Sequence, residues 1–177
     1  MKILSALLII IANVAVPLSA QQNEPKTPII EIVETNGQVR TDTTYVFLRV
    51  FSDGSTEAHD LRHLDLRHVQ ISRGKLKPST YRAVEQVVKS QWWQNLPATL
   101  GPFYNETDSG LSWDVATPHG NSVRHVQLVN FNPYVTRYLA KKPYPTELEK
   151  FVCLVLKARG EAIQDDELGV AEGCKKF

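Results

Sequence analysis

Tyr45-Val46-Phe47-Leu48-Arg49-Val50-Phe51-Ser52-Asp53-Gly54 reads as a strand that runs into a tight turn. Successive side chains of a strand point to opposite faces, so Val46, Leu48 and Val50 share one face and Tyr45, Phe47, Arg49 and Phe51 the other. The first face is wholly apolar and is expected to pack under helices. The second is aromatic but carries a charge, which predicts a half-covered face; left uncovered, it becomes a binding surface. Asp53-Gly54 ends the strand, because glycine accepts the positive φ that a hairpin turn requires.

Working outward, Pro28 to Glu34 reads as a preceding strand, with Asn36-Gly37 as a second turn signal. Ser55 to Leu61 returns after the Asp53-Gly54 turn, and Leu66 to Arg73, with Val69 and Ile71 on one face, makes a further strand. Lys77-Pro78-Ser79-Thr80 opens a helix, with proline in the first turn and Ser79 or Thr80 as cap. Tyr81, Val84, Val87, Val88 and Trp92 form its apolar stripe, Glu85 and Lys89 pair on the wet side, and Leu96-Pro97 ends it. A loop from Ala98 to Gly110 contains Phe103-Tyr104 and the sequon Asn105-Glu106-Thr107.

A second hairpin follows: Leu111, Trp113 and Val115 alternate with polar or small residues, Pro118-His119-Gly120-Asn121 turns the chain, and Val123 to Phe131 returns. Tyr134 to Tyr144 reads as irregular or as a short helix. A second helix starts at Pro145, with Thr146 and Glu149 at capping-box spacing, buries Leu148, Phe151, Val152 and Val155, and ends at Gly160. Antiparallel hairpins with helices returning over one face imply an α+β two-layer sandwich, with a sheet of about five or six strands and two main helices in a ββ-α-ββ-α plan.

The ends of the chain speak to compartment. Met1-Lys2, an apolar run from Ile3 to Val16 and the small residues Ser19-Ala20 make a secretory signal peptide over residues 1–20. The run is too short for a membrane span, so no stable insertion is expected after cleavage. Residues 21–27 form a polar lead-in, 28–160 a single domain and 161–177 an acidic tail. Cys153 and Cys174, the two cysteines of the 177-residue chain, are expected to bridge in an exported protein and to pin that tail. Localisation is thus secreted or periplasmic. A formal net charge of +1 argues against a nucleic-acid partner, which needs a strongly basic surface.

No residue pattern implies a cofactor. There is no Gly-x-Ser-x-Gly elbow, and the nine glycines are scattered as turn formers with no phosphate loop among them. His59-Asp60-Leu61-Arg62-His63 has the spacing of a helical zinc-protease motif with Asp for Glu, but it follows a hairpin turn and lacks a helical stripe. The stronger candidate is a surface: Tyr134, Tyr138, Lys141 and Lys142 interleave aromatic rings with cations, and Phe103 and Tyr104 lie in the other long connector. Such patches suit a protein, peptide or glycan ligand. The expected function is an exported, non-catalytic binding or inhibitor-like module; the alternatives are a metal-dependent hydrolase using His59, Asp60 and His63, and a structural envelope component.

Overall fold

The computed structural model describes residues 26–36, 43–60, 70–103, 111–131, 145–165 and 174. They form a mixed α+β fold: strands β1 (Pro28–Asn36), β2 (Thr43–Phe51), β3 (Ser55–Asp60) and β4 (Gln70–Lys75), helices α1 (Pro78–Lys89) and α2 (Gln91–Gln94), strands β5 (Thr99–Leu100), β6 (Leu111–His119) and β7 (Ser122–Leu128), and helix α3 (Thr146–Ile163). All the strands join one seven-stranded sheet in the order β4-β3-β2-β1-β6-β7-β5, antiparallel except where β5 runs parallel to β7. The expected five or six strands are therefore seven. The addition is β5, two residues inside the long loop, with too little sequence to show a period.

The two hairpin units meet edge to edge, β1 against β6, with Ile32 opposite Val115 and Glu34 opposite Trp113. Ile30, Ile32, Leu48, Val50, Trp113, Val115, Val126 and Leu128 are buried on the shared face. Both predicted turns between adjacent strands take the expected glycine geometry. Gly54 has φ 77° and donates its N–H to Phe51 O at 2.9 Å, and Gly120 has φ 58° in the two-residue connection between His119 and Ser122. The Asn36-Gly37 signal does not make a two-residue turn: Asn36 faces Thr43, so residues 37–42 connect them.

Simple alternation fails within the opening stretch. Ile32 faces Leu48 but Val33 faces Val46, so Phe47 is an extra residue, a β-bulge. The bulge turns Phe47 into the core, where it is fully buried against Trp113 at 4.7 Å between ring centroids. It also sends Tyr45 to the core side, where its hydroxyl donates to Glu34, and Val46 to the opposite face. Leu48, Val50, Arg49 and Phe51 keep their expected sides. A bulge frees backbone groups from the ladder, and Arg159 of α3 takes them up. Its guanidinium donates to Phe47 O and, at 2.8 Å, to His59 O, and it lies 4.2 Å over the Phe47 ring. These two carbonyls sit where β2 and β3 part, since the two strands pair only at Arg49–Glu57 and Val50–Thr56.

The helix ends also depart from expectation. Neither Ser79 nor Thr80 caps α1; Glu161 of α3 does so from across the core, accepting from Lys77 N–H and from the Thr80 hydroxyl, both at 2.8 Å. A carboxylate there satisfies an orphan amide and complements the helix dipole. The Glu85–Lys89 pair forms at 2.8 Å. The stripe breaks at Ser90, whose hydroxyl accepts from Trp93 N–H to start α2; Trp93 is fully buried and Trp92 half-buried. In α3, Pro145 occupies the cap position with no side-chain bond. Gly160 lies inside the helix, which ends three residues later with Gln164 in the left-handed conformation. Gly74 of β4 lets α3 close on the sheet: a Cβ there would stand 3.0 Å from Ala162 O. Cys153 and Cys174 are at disulfide distance, with Cα atoms 5.3 Å apart.

Candidate functional surface

Trp93 of α2 donates its Nε1–H to Thr117 at 3.1 Å, and α3 meets Phe47 and Gly74, so these helices lie on the face of Ile30, Ile32 and Val115. The opposite face holds the side chains one residue out of phase. A single row of direct cross-strand partners crosses it from the β4 edge: Arg73 faces Glu57, Glu57 faces Arg49, Arg49 faces Glu31, Glu31 faces Ala116 and Ala116 faces His125. The first four alternate in charge and are paired throughout. Arg73 Nε is 3.0 Å from Glu57, Arg49 reaches Glu57 at 3.5 Å, and Arg49 Nε bonds Glu31. Opposite charges facing each other across strands stabilise a sheet by a few tenths of a kcal/mol up to about 1 kcal/mol per pair.

Beyond Glu31 the alternation stops. Ala116 presents only a methyl group, and a groove of about 510 Å³ opens there, lined by Pro28, Glu31, Ala116, Pro118, Val123 and His125 among others. That volume is within the usual range of ligand sites. His125 Nδ1 lies 3.1 Å from Asp114. An ionised carboxylate can only accept, so Nδ1 donates and Nε2 is left as an acceptor in the neutral ring. Val123 is 56% exposed beside the groove, and Ile71 is 47% exposed at the β4 edge of the same face. Ile71 was legible only as a face residue of its strand and Val123 only as the start of a returning one, because strand alternation alone does not say which sheet neighbours meet; the order β1-β6-β7 does that for Val123.

A second polar cluster lies under the helices. Glu34 is 2% exposed and accepts from Trp113 Nε1 at 2.6 Å and from the Tyr45 hydroxyl. Burial pushes its carboxyl above the ordinary range of 4.5, against the opposing pull of the Trp113 hydrogen bond and of Arg159. His59 of β3 belongs to the opposite face, with Glu57 and with Ile71, its register partner, and its Nδ1 is buried there without a hydrogen-bond partner. Burial and the neighbouring Arg49 and Arg159 guanidiniums hold its ring below the usual imidazole range, with Glu57 opposing.

Of the residues singled out from sequence, Tyr104, Tyr134, Tyr138, Lys141, Lys142 and His63 lie outside the described residues, as does the Asn105 sequon. Phe103 is a core residue, edge-on to buried Phe131 at 6.1 Å. The Phe103 and Phe131 anchors bring the beginnings of the two aromatic connectors to neighbouring points of the core. His59 and Asp60 are consecutive residues of a strand, where a spacing that suits one helix face does not apply. Among the described residues no three metal-ligating side chains converge, and no helix is long and apolar enough to cross a membrane.

The chain matches no protein-family model, no curated protein and no solved structure.

Proposed function

We propose that this chain is an exported, non-catalytic binding or inhibitor-like module, built as a two-layer sandwich in which the helices cover one side of the sheet and the other side meets the ligand. The observation that carries this reading is the asymmetry of the sheet. One face is a core of large apolar side chains under α1 and α3, and the other is an ordered charge row ending in a groove with exposed Val123. A partly apolar, partly charged face held flat by a sheet is a pre-organised contact surface, because few side chains need ordering when a partner arrives. Export is supported by the apolar N-terminal run behind Lys2 and by the cysteine pair at disulfide distance.

The connector residues Tyr134, Tyr138, Lys141, Lys142 and Tyr104 form a second contact region in this proposal. They follow Phe131 and Phe103 in the chain, whose rings touch in the core. The two regions are separable by experiment. Immobilised protein is exposed to an envelope and extracellular extract, and the captured species are quantified for wild type, for a face variant (Ile71→Glu with Val123→Glu) and for a connector variant (Tyr134→Ala with Tyr138→Ala). Both face positions are already exposed, so the fold tolerates the change. The reading expects capture to fall in the face variant and to fall less in the connector variant. Capture that is equal in all three removes both surfaces from the proposal.

A further inference from the structure

The row on the face opposite the helices has a missing member. From the β4 edge it runs cation, anion, cation, anion through Arg73, Glu57, Arg49 and Glu31, each the direct register partner of the next. The next position calls for a cation and holds Ala116. Glu31, which ends the charged part of the row, therefore has a guanidinium on one side only. On the far side of Ala116 stands His125, whose Nδ1 is turned to Asp114. Glu31 and His125 thus flank the methyl group of Ala116 in the groove wall, the first with its carboxylate and the second, in the neutral ring, with Nε2 as an acceptor, and the Asp114 carboxylate stands behind the imidazole. The groove opens over this methyl-sized notch, with apolar walls from Pro28, Pro118 and Val123.

We propose that a lysine or arginine side chain of a partner peptide completes the row, seated over Ala116 between Glu31 and the Asp114–His125 pair. Its apolar neighbours lie on Pro28, Pro118 and Val123. This deepens the reading of that face as the contact surface and rests on it. The occupant is a basic peptide segment on two grounds. The ionised side chains at the notch are the carboxylates of Glu31 and, behind His125, Asp114, and a cationic donor complements them. The walls beside it are apolar and exposed, which a bare amine leaves uncovered but a peptide with flanking aliphatic residues covers.

The probe is a blocked pentapeptide, Val-Lys-Val-Lys-Val, titrated by calorimetry or NMR, with its acetyl-lysine counterpart as the neutral control. Binding of the lysine peptide is expected at about 1 mM or tighter, at least about tenfold tighter than the control, and weakening as salt rises. Glu31→Gln should weaken it about five- to tenfold while leaving the shape of the site intact. Ala116→Lys supplies the missing cation from the chain itself. It should abolish probe binding and leave the thermal midpoint unchanged or raised, a combination that a merely damaged fold does not produce. Equal binding of the two peptides, no binding at about 1 mM, or unchanged binding in both Glu31→Gln and Ala116→Lys overturns the proposal. Spermidine that competes as well as the peptide would also overturn it, assigning the notch to a free amine. Failure here together with loss of capture in the face variant would remove this ligand class alone; the contact surface would stand.

Discussion

At the scale of single residues, one buried and one half-buried ionisable group set opposite pH dependences. Glu34 holds its proton more tightly folded than unfolded, because burial disfavours the carboxylate more than Trp113 and Arg159 favour it. The stability it contributes is complete below about pH 4.5, the unfolded value, and is lost as pH rises through the folded value. His59 acts the other way. Burial, Arg49 and Arg159 lower its folded value below 6.5, so its contribution is complete above pH 6.5 and is lost as pH falls through the folded value. Glu34→Gln keeps an oxygen for Trp113 and offers an amide to the Tyr45 oxygen while removing the titration. Thermal melts from pH 4 to pH 8 should show the Gln variant gaining on wild type as pH rises above 4.5. Parallel curves across that range would remove Glu34 as the cause. His59→Gln should do the reverse, gaining on wild type only as the solution becomes more acidic than pH 6.5. Neither assignment was legible in the sequence. Glu34 occupies a strand position that reads as polar and solvent-facing until the bulge and the β1–β6 pairing bring Tyr45 and Trp113 onto it.

At the scale of elements, the sequence showed existence and order better than ends and sides. Asp53-Gly54 and Gly120-Asn121 carry their geometry locally, so both hairpins were readable. The bulge at Phe47 was not, because an extra residue on one strand is defined by the partner strand, and nothing local to Tyr45-Val46-Phe47 reports it. The same holds for the caps: Ser79 and Thr80 are good local candidates, yet Glu161, distant in sequence, satisfies the α1 terminus. Arg159 is the counterpart of the bulge, since two carbonyls at the β2–β3 divergence depend on it. Arg159→Met should cost roughly 3 kcal/mol, the size expected for orphaning two buried acceptors. Amide exchange should quicken first in β3, where only two rungs hold it to β2. A uniform rise in exchange across β1, β6 and β7 would count against the guanidinium as a local staple. Gly74→Val tests the helix contact: its Cβ meets the Ala162 backbone at 3.0 Å, so α3 must lift or β4 must shift, at a cost of about 1–3 kcal/mol in urea unfolding.

At the scale of the molecule, strand order is what joins separate readings into a surface. Hairpin signals specify β2–β3 and β6–β7, but the pairing of β1 with β6 is made by two distant segments, and it is this pairing that sets Glu31 beside Ala116 and His125. The charge row and the groove therefore could not be read from the chain, whereas a charged sheet face could, from Arg49 alone. The same long-range logic governs the cysteines. Cys153 is buried on α3 and Cys174 lies 21 residues on, so a bridge closes a loop that includes the end of the helix and the acidic segment after it. Cross-linking a loop of this length restricts the unfolded chain and is worth roughly 3 kcal/mol. The double variant Cys153→Ala with Cys174→Ala should lower the urea midpoint accordingly, and reductant should move the wild type to nearly the same midpoint while leaving the variant where it is. The variant also leaves a small void at Cys153, so its loss should slightly exceed that of reduced wild type. Protein purified from an oxidising compartment whose midpoint is indifferent to reductant would show that the bridge adds no stability, and would withdraw the cysteine pair as support for an exported chain.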